Sequence, residues 1–98
     1  MDLRNLIKLI HSVALFNYLY NMHNWTSTEL EVLCKIYLFY QKDKISELLR
    51  LYPYLTEESI AYKLEHCIYL HTKKEQGLSN VSKLHKEVWE NVCSLYKL

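Results

Sequence analysis

Trp25-Thr26-Ser27-Thr28-Glu29-Leu30 is the stretch whose reading decides the fold. Thr26 followed three positions later by Glu29 is a capping box. The threonine hydroxyl accepts from the Glu29 backbone N–H, and the Glu29 carboxylate accepts from the N–H of Thr26. Trp25 just before the cap and Leu30 one turn inside it form a hydrophobic staple. A helix is therefore predicted from this point to about Gln41. Leu30, Leu33, Tyr37 and Tyr40 share one of its faces, and Val32, Ile36 and Phe39 make a second apolar face.

Forward of that helix, Asp43 reads as the next N-cap, opening a short helix that carries Ile45, Leu48 and Leu49. Pro53 disfavours helical backbone at Tyr52 and ends it. Thr56 caps a further helix, with Glu57 and Glu58 in its positive first turn and an expected inward stripe of Ile60, Leu64, Cys67 or Ile68, and His71. Lys73-Lys74-Glu75-Gln76-Gly77 is a polar break. A last helix is expected from Ser79 or Asn80, with a heptad-like seam of Val81, Leu84, Val88, Val92 and Leu95, and Trp89, Cys93 and Tyr96 beside it. Backward of the capping box, Leu6, Leu9, Val13, Phe16 and Tyr20 recur at helical spacing, and Leu3, Ile7, Ile10 and Ala14 fill an adjacent stripe. A helix that apolar needs cover on most sides. The expectation is an all-α, five-helix single domain over residues 1–98. It has an N-terminal apolar helix within 1–24, a three-helix core over 25–74 and a C-terminal amphipathic helix over 78–98.

Composition agrees. Of 98 residues, 50% are hydrophobic and 23% charged, too apolar a mixture for disorder. A chain of this size buries roughly 65% of its surface, enough for one modest core. The single Gly and single Pro exclude turn-rich β-sandwiches and barrels, and also the glycine loops that hold nucleotide phosphates. The formal net charge is +1, so any nucleic-acid role needs a local basic patch. Cys34, Cys67 and Cys93 are widely spaced and odd in number, the pattern of reduced intracellular thiols used as small core hydrophobes. The apolar N-terminal stretch is interrupted by Asp2, Arg4, Lys8, His11 and Asn17, which excludes a signal-peptide core or a membrane span. A cytoplasmic or nuclear location is expected, with no membrane partner.

Residues 25–71 resemble Myb/SANT-like repeats, a helix-turn-helix family. The resemblance rests on Trp25-Thr26 with Glu29-Leu30, on Lys44-Ile45-Ser46-Glu47-Leu48-Leu49, on Thr56-Glu57-Glu58-Ser59-Ile60, and on Lys63-Leu64. It departs from the family at Pro53-Tyr54-Leu55, where Gly and Arg are usual, and at Leu64, where an aromatic is common. The resemblance implies a three-helix core and either a DNA-binding regulator or, as in SANT-type members, a protein-interaction adaptor that binds no nucleic acid directly.

With Ile60, Leu64 and Ile68 inward, the outward stripe of the third core helix would be Ser59, Tyr62, Lys63 and His66, all able to reach base edges or phosphates. Lys42, Lys44, Lys73 and Lys74 would add backbone contacts to double-stranded DNA. Against this stand seven acidic side chains facing seven basic ones between residues 25 and 74, a poor balance for neutralising phosphates. The Val32–Ile36–Phe39 face has no role in a minimal three-helix unit, so the flanking helices are expected to dock there. The seam Val81, Leu84, Val88, Val92 and Leu95 is the first candidate for a homodimer or partner-protein interface. A continuous positive strip across Lys42, Lys44, Lys63, Lys73 and Lys74 would favour DNA, and a bare apolar groove a protein partner. No enzymatic signature is present: there is no nucleophile elbow and no HExxH. Cys67 and His71 stand four residues apart, but two ligands do not make a zinc site. No cofactor, metal or small-molecule substrate is expected.

Overall fold

The computed structural model describes residues 23–98, so the expected N-terminal helix lies outside the described residues. Among the described residues the chain is all-helical, with no strand. Its four helices are α1 (Ser27–Phe39), α2 (Lys44–Leu51), α3 (Glu57–His71) and α4 (Lys83–Leu95). No described helix is long and apolar enough to cross a membrane.

Each helix starts at a side-chain cap. The Glu29 N–H donates to Thr26 Oγ1 at 3.2 Å, and the Thr26 N–H donates to Glu29 Oε1 at 2.8 Å, which completes the capping box. The Ser46 N–H donates to Asp43 Oδ1 at 3.1 Å for α2, and the Ser59 N–H to Thr56 Oγ1 at 3.1 Å for α3. α4 begins later than the sequence suggests. Its cap is Ser82, whose Oγ accepts from the His85 N–H at 3.1 Å. Before it, Lys73, Lys74 and Gly77 adopt positive φ, which no right-handed helix accommodates.

The far end of α1 has no basic residue in its last turn, yet it is capped. Lys44 at the start of α2 reaches back, and its Nζ donates to the carbonyls of Ile36, Tyr37 and Tyr40 at 3.2, 2.9 and 2.5 Å. An ammonium at the negative end of a helix is favourably placed on its last carbonyls, of which that of Ile36 also accepts from the Tyr40 N–H at 3.0 Å. It also fixes the turn between α1 and α2.

One hydrophobic cluster joins all four helices. It contains Leu30, Leu33 and Cys34 of α1, Leu48 of α2, Ile60, Leu64 and Cys67 of α3, and Val88, Trp89 and Val92 of α4, with Trp25 and Leu55 from the connections. α1 packs most extensively against α4 and touches α2 and α3 as well. The inward stripe of α3 is Ile60, Leu64 and Cys67, while Ile68 is half-buried and His71 is exposed. His71 instead meets the Tyr37 hydroxyl through Nδ1 at 3.0 Å.

Glu29 ties the front of the fold together. Besides its capping role it accepts from the Thr26 hydroxyl at 3.1 Å and from the Tyr54 hydroxyl in the α2–α3 turn, and it pairs with His23 Nε2 at 3.2 Å. Burial pushes its carboxyl up, but these hydrogen bonds outweigh burial and hold it below the ordinary value of 4.5. A carboxyl lowered by folding contributes stability at neutral pH and loses that contribution as pH falls below 4.5 through its folded value. Glu29→Gln is therefore expected to melt below wild type at pH 7, with the gap closing in strong acid. Thermal melts at both pH values check this, and an equal gap at both would contradict it.

Candidate functional site

α3 is the helix that the sequence pattern offers as a reading helix, and its side chains lie differently from the expectation. Seven of its residues are buried: Ser59, Ile60, Ala61, Lys63, Leu64, His66 and Cys67. The stripe expected to face outward is thus corrected at Ser59, Lys63 and His66, which are 3%, 3% and 0% exposed. Tyr62 is half-buried, with its ring 4.5 Å from that of His66. A helix buried over so much of its circumference is a central helix, not a surface one.

Another part of α3 is closed by the segment that follows it. The Leu78 N–H donates to the Glu65 carbonyl at 3.3 Å, which lays residues 77–78 directly on the α3 backbone. Gly77 makes this approach possible. A Cβ there would run into the Glu65 carbonyl oxygen and the Tyr69 nitrogen, and φ is +85°.

The five lysines of the expected DNA contact do not form one positive strip. Lys63 is inside, and burial pushes its amine down to about 8. Lys44 is engaged at the end of α1, and burial lowers its amine too. Lys42, Lys73 and Lys74 are exposed. Lys73 and Lys74 occupy the left-handed turn that ends α3, where the Lys74 N–H donates to the Tyr69 carbonyl at 2.8 Å.

The α4 seam is also divided. Val81, Val88 and Val92 are buried within the chain, while Leu84 and Leu95 are 38% and 66% exposed. The inward face of α4 is His85, Val88, Trp89 and Val92. The bulk of Trp89, together with the i, i+3 and i+7 spacing of His85, Val88 and Val92, sets that face and leaves Leu84 and Leu95 at its rims.

Among the described residues, a groove of about 690 Å³ opens between the C-terminal ends of α1, α3 and α4; Leu38, Phe39, Leu70, Trp89, Cys93 and Leu98 line it, with His71, Lys73, Glu90 and Ser94. Phe39 is 46% exposed and its ring stands 4.9 Å from that of Tyr96. Leu98 is 65% exposed. The Val32–Ile36–Phe39 face, expected to be covered by flanking helices, is covered at Ile36, half-covered at Val32 and open at Phe39.

A second constellation lies inside. The donor atoms of Cys34, Cys67 and His85 all fall within 4.8 Å of one another, and all three residues are buried. Cys67 Sγ is 3.4 Å from His85 Nε2. Burial pushes the His85 imidazole down to about 3, helped by the Lys63 charge, and it pushes the Cys67 thiol well up. His66 is likewise driven to about 3 by burial, then by Lys63 and His85. The sequence carries no local motif for this cluster, since its members sit on three helices. Its one legible sign is that His85 lies four residues after Val81 and three before Val88, on the inward face of α4.

No family model, no curated protein and no solved structure matches this chain.

Closure of α3 by the 77–78 segment has a direct consequence. Gly77→Ala is expected to cost about 1–3 kcal/mol, the scale of a strained non-glycine backbone. Exposed Gln76→Ala should change stability by less than about 0.5 kcal/mol. Urea denaturation of both variants decides the matter, and a Gly77→Ala protein as stable as wild type would show that the segment does not seat on α3.

Proposed function

We propose that this chain is a non-enzymatic protein-interaction module with a SANT-like three-helix core, and that it engages an amphipathic helix of a partner protein rather than nucleic acid. The observation that carries this reading is the inward turn of Ser59, Lys63 and His66, which removes the groups that α3 would need in a major groove. The resemblance of residues 25–71 to Myb/SANT-like repeats supports the core arrangement, and SANT-type members supply the precedent for binding proteins.

The groove beside α4 supports the choice of occupant. Its largely apolar lining, with His71, Lys73, Glu90 and Ser94 among the lining residues, and a volume of about 690 Å³ suit two or three aliphatic or aromatic side chains of an amphipathic helix. Within that lining Phe39 and Leu98 are exposed, and apolar surface left open to solvent in this way marks interaction sites. A homodimer through the same surface is the nearest variant of this reading. Direct DNA binding would have to rest on Lys42, Lys73 and Lys74 without the α3 face.

Two measurements on the full chain separate the readings. Fluorescence anisotropy with mixed-sequence duplex DNA at about 50 mM salt is expected to show no binding, a salt concentration at which phosphate contacts are strong. A pull-down with wild type is expected to recover a partner that Phe39→Glu loses while keeping its melting temperature. Tight DNA binding that falls steeply with salt, and is abolished by Lys73→Glu with Lys74→Glu, would overturn the proposal.

A further inference from the structure

We infer that Cys34, Cys67 and His85 form a buried binding site for a soft d10 metal ion, Zn2+ or Cu+, held by two thiolates and one imidazole. The three donors come from α1, α3 and α4, so the ion would cross-link three packed helices at their common centre. The site is independent of the groove and of the function proposed for it.

The geometry fits such an ion. Metal–sulfur and metal–nitrogen bonds of about 2.3 and 2.0 Å at a tetrahedral angle place sulfur and nitrogen about 3.5 Å apart. Cys67 Sγ and His85 Nε2 stand 3.4 Å apart, and the whole triad lies within 4.8 Å, so small side-chain movements bring all three atoms onto one ion. His85 Nε2, the nitrogen facing the sulfur, is the one that would bind. The donor types fit as well, because thiolate with imidazole selects Zn2+ and Cu+ over hard cations. All three residues are fully buried, unlike exposed acidic clusters, and with three protein donors a tetrahedral Zn2+ would take water or another small ligand in its fourth position.

The chemistry balances without a redox step. As each sulfur–metal bond forms, its thiol proton leaves to solvent, so two protons are released per ion and no oxidation state changes. A neutral His85 needs to lose none. Burial opposes thiolate formation in the free protein, and the cation is what offsets it. Because the triad is enclosed, loading accompanies folding rather than following it. A small single-core domain is also where one internal cross-link adds most.

The test is to refold the full chain under a non-thiol reductant with one equivalent of Co2+, the spectroscopic stand-in for Zn2+. In a parallel arm it is refolded with Cu+ against a chromogenic Cu+ chelator. Expected is a sulfur-to-cobalt charge-transfer band saturating at one ion per chain, or Cu+ retained one to one against the chelator. The first result assigns the site to zinc-class ions and the second to Cu+. Cys93→Ser should keep the signal, and Cys34→Ser and His85→Gln should lose it. Absence of both signals in refolded wild type would overturn the inference even if the variants fail to fold. So would a signal that persists in folded Cys34→Ser, because that marks adventitious binding elsewhere.

Discussion

The enclosure of α3 is the constraint on which the rest of the molecule depends. Its buried face runs through Ile60, Leu64 and Cys67 into the shared core and continues around the helix to Ser59, Lys63 and His66. A helix surrounded to that degree must be met on several sides. α1 and α4 meet it within the core, and the 77–78 segment lies against its backbone at Glu65. Burying Lys63 and His66 carries a cost that appears as their depressed proton affinities. That cost is offset by the apolar packing of a cluster to which every described helix contributes. Polar groups held inside in this way present almost no surface to solvent.

Helix starts were the most legible part of the fold. The capping box at Thr26 and Glu29 and the caps at Asp43 and Thr56 are local rules that need only a few neighbouring residues. They place α1, α2 and α3 to within a residue or two of the expectation. α4 was harder because Ser79, Asn80 and Ser82 are all competent caps, and left-handed turns at Lys73, Lys74 and Gly77 precede all three. The short-range code does not record those turns.

The orientation of side chains was less legible. Ser59, Lys63 and His66 are polar, and a pattern argument sends polar residues outward. The countervailing sign was the excess of apolar surface on the helices flanking the 25–74 core, which implies more cover than a minimal three-helix unit supplies. Lys44 shows the same limitation in another form. A lysine at a helix start reads as a surface charge, whereas here it closes the end of the preceding helix. The triad of Cys34, Cys67 and His85 escaped because long-range proximity of single residues leaves no spacing motif. Of the candidate interfaces, the α4 seam was half visible. The valines were correctly apolar, but they fill the chain's own core, and Leu84 and Leu95 are left at the edges.

Amine labelling of the native protein, read by mass spectrometry, tests the enclosure of α3 most directly. An open Lys63 would be labelled with the surface lysines or ahead of them; burial, the same cause that pushes its amine down to about 8, shields it from reagent. Enclosure predicts the opposite order: exposed Lys42, Lys73 and Lys86 are labelled first, and Lys63 only when the chain is unfolded by denaturant. Labelling of Lys63 in the folded protein at the rate of Lys42 or faster would contradict the central placement of α3.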